Sequence, residues 1–406
     1  GSVAIGYASQ AENRTGQGNT SVGFETLLSD VNGDFNTAVG YQALRDQTGV
    51  SGLVGNTGVG YYAGTNVTTG IKNTMLGAYA GYTSLLVDNT VLLGYNAGGS
   101  GAMTADADGT IAIGFSALQA LTSGIGNVAV GFEALKVEDD ADHNTAIGYK
   151  ALTSQTGASG LVGNTAVGYQ TLDGILTGAK NTALGAEAMG SADGEENENV
   201  AVGYRAMFNN NNGSSNTCIG ATTTLSAANG QGQIAIGKDV ACIANETATI
   251  GFGGNVASLG LDGSDTSWAA SSDERLKENI ADATAGLDVI NDLRPITYNW
   301  RKAKDVDKDM PQYKDSDNPV LGSEYGETLH GFIAQEVKVV IDKHDSIKEG
   351  FKMWKESDDG TQTVADGNLI PILVKAVQEL TAENKELKDR LNDLEILIKD
   401  KLGDDK

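Results

Sequence analysis

The sequence predicts a mostly β chain: a parallel β-roll or β-solenoid of about 15 rungs, then a small α+β domain ending in a coiled coil. Three observations carry this. A glycine recurs at near-constant intervals through residues 1–255, a short alternating segment precedes each glycine, and apolar residues repeat in heptads at the end of the chain. The 406 residues divide into a repeat at 1–255, a neck or linker at 256–271, a domain at 272–372 and a coiled coil at 373–402.

Aligned on Asn-Thr-Ala-Val-Gly-Tyr, as at Asn36 to Tyr41, the glycine falls at 6, 23, 40, 60, 77, 94, 114, 131, 148, 168, 185, 203, 220, 237 and 251. The spacings run 17, 17, 20 three times, then 17, 18, 17, 17 and 14, so three units make a 54-residue super-repeat. Fixed-period self-similarity means a stacked array, because one rung cannot bury its own apolar face. The residue before each glycine is aliphatic (Ile5, Val22, Val39), the residue three before it is nearly always β-branched, and Ala stands between them in nine of fifteen units. That is strand periodicity. A rung of 17 to 20 residues predicts two short strands and two turns, and the rod measures roughly 70 Å at the ~4.8 Å strand spacing.

Asn occupies the position four before the glycine in ten units, as expected of a turn residue that tolerates left-handed φ and stacks its amide along the coil. An aromatic follows the glycine in eleven: Tyr7, Phe24, Tyr41, Tyr61, Tyr95, Phe115, Phe132, Tyr149, Tyr169, Tyr204 and Phe252. Stacked rungs align these rings into a ladder. An exposed ladder can bind sugars, but one ring per rung at a fixed register is more simply explained by packing inside the coil or between chains.

Composition narrows the class. With 54 Gly, only 4 Pro and no every-third-residue spacing, collagen and Pro-rich disorder are excluded. The net charge of −25 divides into −15 over residues 1–271 (8 basic, 23 acidic) and −10 over the remainder (20 basic, 30 acidic). Such a surface repels phosphate backbones and anionic lipid, so neither nucleic acid nor membrane is expected as a partner. There is no apolar run of the roughly 18 residues a membrane helix needs, and no leader pattern. A start at Gly1-Ser2 without methionine reads as a segment whose N-terminus attaches to a larger particle.

Cys218 and Cys242 read as small buried hydrophobes rather than a disulfide or metal ligands. Asp106 with Asp108, and Glu138-Asp139-Asp140 with Asp142 and His143, lack the ligand number and spacing of a calcium loop. They read as solvated acidic loops between rungs, where a binding surface would be displayed. No metal and no cofactor is expected.

The last stretch is a helix. From Leu373, apolar positions fall at Val377, Leu380, Leu387, Leu391, Leu394 and Ile398 in steps of four and three, with Asn384 in register. This is a coiled-coil seam, and Asn384 in it costs stability while fixing register and parallel alignment. The charged opposite face (Lys385, Glu386, Lys388, Asp389, Arg390) favours a free-standing bundle over a helix lying on its own domain.

Between repeat and tail stands Ser272-Asp273-Glu274-Arg275-Leu276-Lys277. With Leu293-Arg294-Pro295-Ile296-Thr297-Tyr298-Asn299-Trp300 and His330-Gly331-Phe332-Ile333-Ala334-Gln335-Glu336-Val337, it resembles the C-terminal intramolecular chaperone of endosialidases and phage tail fibres, a self-cleaving serine-peptidase family. About the last third of the chain is covered. The repeat in turn resembles the left-handed parallel β-roll of trimeric adhesin heads through strings such as Ser2-Val3-Ala4-Ile5-Gly6. The resemblance implies a homotrimer with a three-stranded coiled coil, and an extracellular place in a virion tail fibre or in a cell-surface or injection-device fibre. It also implies a cell-surface glycan or protein receptor, and a catalytic dyad of Ser272 and Lys277.

Lysine can take the serine proton where desolvation or neighbouring charge lowers its pKa. Attack by Ser272 on the Ser271 carbonyl passes through a five-membered ring, so scission is expected between Ser271 and Ser272. Arg275, Glu278 and His330 are possible auxiliaries. The structural alternative has Ser272 and Asp273 capping a helix from Glu274 to about Asp292, Lys277 solvated, Arg275 and Glu278 in surface pairs and His330 packed.

Two other functions are weighed. A trimeric autotransporter adhesin requires a C-terminal membrane barrel, and a glycan-degrading tailspike requires a carboxylate pair in a groove.

Overall fold

The computed structural model describes residues 1–48, 50–156, 160–191, 194–263, 268–270, 272–321 and 326–403. Two compact units divide the chain, Gly1–Ser272 and Asp273–Lys406.

The first unit is a parallel β-solenoid. Each of the fifteen motif segments, from Val3–Ile5 to Thr247–Phe252, is a strand. Each pairs in parallel with the next, in the register of the repeat: Thr37, Ala38 and Val39 lie over Thr20, Ser21 and Val22. From Thr20–Val22 onward the middle residue of the motif is buried, as at Ala38, Ala129 and Ala183. Leucines four after the glycine (Leu44, Leu135, Leu152) fill the rest of the coil from the opposite side. Cys218 and Cys242 are buried free thiols, and burial pushes them up to about 12 and about 11.

One strand per rung forms, not the two expected. After the glycine, the second and fourth residues take left-handed φ (Gln42 at 53°, Leu44 at 48°), which coils the return path too tightly for an extended ladder. Short second ladders join Gly33–Asp34 with Gly52–Leu53 and Ala141–Asp142 with Gly160–Leu161, and single parallel bridges join Asn197 to Ser214, Ser214 to Gln231 and Thr224 to Ala241.

The glycine itself is required by contact. Along the column from Gly6 to Gly237, an added Cβ would lie 1.8 to 2.6 Å from the carbonyl oxygen of the next rung's glycine, at φ between +122° and +143°.

The asparagines stack as expected, but their left-handed neighbour is the residue before them. Phe35, Lys72, His143 and Lys180 carry the positive φ. The buried asparagine accepts the next rung's backbone N–H on Oδ1, as Asn19 does from Asn36 at 2.7 Å. Its Nδ2 donates to a carbonyl fourteen residues on, as Asn56 does to Gly70 at 2.7 Å. A backbone that turns just ahead of the strand leaves these groups without ladder partners, and the amide replaces them.

Rings packed inside the coil are not found. All eleven face outward, exposed between 37% at Phe24 and 71% at Tyr7. Nine of them stack in two runs, Tyr7 to Tyr61 and Tyr95 to Tyr169, with Phe24 and Tyr41 at 5.0 Å and 4°, and Phe115 and Phe132 at 5.1 Å and 8°.

The β structure also runs past residue 255. Asn255–Gly260 folds back antiparallel on Thr247–Phe252 and covers the last open ladder, which blunts an edge that would otherwise template further pairing.

The second unit contains helix α1 (Leu287–Asp292), helix α2 (Ala334–Lys343) and helix α3 (Ile370–Gly403). Two hairpins accompany them, Ile296–Tyr298 with Leu329–Gly331, and Trp354–Glu356 with Gln362–Val364. Val289, Val337, Ile341, Ile347, Met353, Leu369 and Ile372 form the core. A helix from Glu274 to Asp292 does not form. The segment makes a single 3-10 turn, Glu274–Leu276, turns extended at Lys277 and left-handed at Asn279 (φ 56°), and becomes helical again only at α1.

Gly131→Ala should lower stability by at least ~2 kcal/mol, combining left-handed strain with a backbone clash. Gly254→Ala, where nothing lies within 4 Å, should be neutral. Thermal melts of the strand circular-dichroism signal read both, and equal melts for the two variants would contradict the column's role.

Candidate functional site

The residues singled out by the sequence fall in two stretches, 272–278 and the C-terminal helix. At the junction Ser272 is the last residue of the first unit and is exposed. Ser271, and with it the bond expected to break, lies outside the described residues. In the second unit Asp273 caps the 3-10 turn, its Oδ1 accepting the Arg275 backbone N–H at 2.9 Å. The Arg275 guanidinium donates to the same carboxylate, Nη2 to Oδ2 at 2.6 Å, and holds Asp273 below its ordinary pKa. Arg275 is thus engaged locally. Lys277 follows directly, exposed, its backbone N–H donating to the Glu274 carbonyl at 3.0 Å. Glu278 is exposed, and so is His330, which pairs with Thr297 across the first hairpin instead of packing in the core.

The segments 293–300 and 330–337 meet. Their strands form that hairpin, and Arg294 grips Glu336 through a two-pronged ion pair, with Nε to Oε2 at 2.9 Å. Beside it lies a cluster that sequence reasoning missed. His344 sits between two carboxylates of α1, Nε2 to Asp292 Oδ2 at 2.6 Å and Nδ1 to Asp288 Oδ2 at 3.2 Å, and Lys343 reaches Asp292 at 2.6 Å. The i,i+4 spacing of the two aspartates was the available signal.

Helix α3 has two parts. Its first turns pack on their own unit, with Ile372 and Ala376 buried and Glu379 Oε2 accepting the Leu287 backbone N–H at 2.8 Å. The heptad positions lie on another face. Val377, Leu380, Leu387, Leu391, Leu394 and Ile398 are each 42–61% exposed, Leu373 is exposed with them, and the Asn384 amide bonds back to the Leu380 carbonyl at 3.0 Å. An apolar seam running along most of the helix has no cover among the described residues of one chain.

In the acidic loops Asp106 and Asp139 are exposed, as expected, whereas Glu138, Asp108 and Asp142 hold backbone N–H groups. Glu138 is fully buried and its Oε1 accepts N–H bonds from Asp139, Asp140 and Ala141 at 2.7 to 3.0 Å. Burial raises its carboxyl to about 7. Asp108 and Asp142 each accept a backbone N–H from a neighbouring rung, at 2.6 and 2.9 Å. Asp106 lies in a 3-10 turn. Among the described residues, no helix is long and apolar enough to cross a membrane.

A solenoid ahead of a small α+β unit with an uncovered terminal helix is the make-up of a fibre-like protein. Residues 272–346 match the family described as chaperone of endosialidase. No curated protein and no solved structure matches the chain.

Hydrogen bonds from Lys343 and His344 hold Asp292 below its ordinary pKa. The stability this adds is present above the unfolded carboxylate value, about 3.9, and is lost as pH falls through the folded one. Urea midpoints of the helical signal should therefore fall as the pH is taken below about 4. In Asp292→Asn they should start lower at neutral pH and fall less steeply, and a profile superposable on wild type would contradict the assignment.

Proposed function

We propose that the chain is a receptor-binding fibre segment, assembled as a homotrimer, whose C-terminal unit gathers three copies and then releases itself. One observation carries the reading: the uncovered heptad seam of α3 follows, in the same compact unit, residues 272–346 that match the family described as chaperone of endosialidase. In the trimer the seams form a parallel three-stranded coiled coil, and Asn384 fixes its register. The physical need is clear. Parallel pairing over long sequence distances is slow and exposes strand edges, and a local nucleus raises the effective concentration of partner rods.

Release follows from Ser272 and Lys277. The serine Oγ attacks the Ser271 carbonyl carbon, the Lys277 amine accepts the hydroxyl proton and returns it to the departing Ser272 nitrogen, and the C–N bond breaks. The Ser271 ester left on Oγ is then hydrolysed by water, giving a new carboxylate at Ser271 and a free amine at Ser272. Loss of the nucleus makes the finished rod kinetically stable, because refolding without it is slow. Receptor contact falls to the acidic loops between rungs, Asp106 with Asp108 and Glu138 to His143.

Purified wild-type chain should give two fragments on a denaturing gel, separated between residues 271 and 272. Ser272→Ala and Lys277→Ala should each give one band at 42.0 kDa, and two bands from either variant would rule out the dyad. Leu387→Asp combined with Leu391→Asp should cut the yield of refolded solenoid at least tenfold, whereas an unchanged yield would separate folding from the seam.

A further inference from the structure

The outward strand face of the solenoid carries three columns: the residue three before each glycine, the residue before it and the residue after it. From Val3 to Ile236 these columns hold no charged residue, in a chain of net charge −25. Charged pairs border them instead. Glu187 with Arg205 at 3.1 Å and Glu133 with Lys150 at 3.6 Å lie at the position two after the glycine, and Lys180 with Glu198 at 3.2 Å at the position five before it. An uncharged apolar centre with a polar rim is the composition of a protein interface core.

Size points the same way. Eleven rings exposed between 37% and 71% leave on the order of 1,000 Å² of aromatic surface, since such a side chain covers roughly 150–250 Å². The largest apolar patch of an ordinary monomer is about 300–600 Å², and a stable interface takes about 800 Å² from each partner.

The ladder is also poorly built for sugar. A glycan stacks on a free ring face, and here neighbouring rings already cover the faces: Phe132 lies between Phe115 and Tyr149 at 5.1 and 5.2 Å, tilted by no more than 10°. Where Ala78 interrupts the column, Tyr62 and Tyr79 fill the gap, Tyr62 edge-on to Tyr61 and Tyr79 edge-on to Tyr95. Of the eleven rings, only Tyr204, whose column neighbours are Ala186 and Ala221, and Phe252 stand outside these ring-to-ring contacts.

We propose that this strand face is a chain-to-chain interface covered by further copies of the same chain, and that the face attracts its partner without fixing the register. The second part follows from the repeat. A slip of one rung brings Thr145-Ala146-Ile147 to where Val128-Ala129-Val130 stood, with the same shape and no charge to oppose it. Register is weakly specified wherever a face looks alike after translation. It must therefore be imposed from outside the face. The inference rests on the multi-copy reading above and gives the seam of α3 a definite role, which is to choose one alignment among many of nearly equal energy.

The test uses the full chain carrying Val130→Cys or Ile147→Cys, the native Cys218 and Cys242 being buried. The two variants are co-refolded in equal amounts, oxidised, and mapped by mass spectrometry beside light scattering. Disulfides between like positions should exceed 130-to-147 disulfides at least tenfold. With Leu387→Asp and Leu391→Asp added, mixed disulfides should rise to within about twofold of matched ones. A multi-copy mass with no disulfide at either position overturns the face and leaves assembly standing, whereas a single-chain mass overturns both. Matched pairing that persists in the tail variant, or no pairing in it at all, overturns the claim that the face attracts without registering.

Discussion

The contact on which the solenoid depends is backbone against backbone at the glycine column. Gly131 approaches the Gly148 carbonyl so closely that a Cβ would stand 2.2 Å from its oxygen, and the same holds at every rung from Gly6 to Gly237. This approach sets the turn after each strand. Where the turn sends a leucine inward from the far side, the strand opposite supplies a small Ala or Ser. Where Gly64, Gly81 and Gly98 replace the leucine, Met75 and Leu92 fill the space from the strand. The flanking large residues of the strand are left facing out. A polar thread runs beside the column. The buried asparagine amides carry rung-to-rung hydrogen bonding past the bend where strand pairing stops, so few backbone groups are orphaned in a coil too narrow for water.

Much of this was legible in the sequence, and the misreadings have physical causes. Repeat length, strand position and the alternation of large and small came directly from the spacing of glycines. Alternation says that two faces differ, but not which one is inside. Large apolar residues are commonly buried, so the rings were expected inside or between chains. A rung of about 17 residues encloses too little space for an aromatic, and Ala38, Ala129 and Ala183 take the interior instead. The second strand was overcounted for a related reason. Left-handed φ at residues such as Gln42 and Leu44 is not a property their types announce.

At the junction, the motif located Ser272 and Lys277 but could not foresee that Asp273 would claim the Arg275 side chain. The His344 cluster escaped because its partners are some fifty residues apart. The seam of α3 was legible residue by residue, since a heptad is a local pattern. That Ile372 and Ala376, rather than Leu373 and Val377, hold the helix to its own unit depends on α1, which no local pattern reveals.

These pieces make one physical problem and its remedy. A rod built from like rungs presents a face that is large, apolar and nearly unchanged by translation, so association is easy and alignment is not. In the proposed function, a single non-repeating element at one end would bring copies together at one register and would be dispensable once the rods had wound. The most direct measure is the mass of the purified, uncleaved chain by light scattering over a range of concentrations. The account predicts three times 42.0 kDa, and a constant 42.0 kDa with α3 fully helical would contradict it.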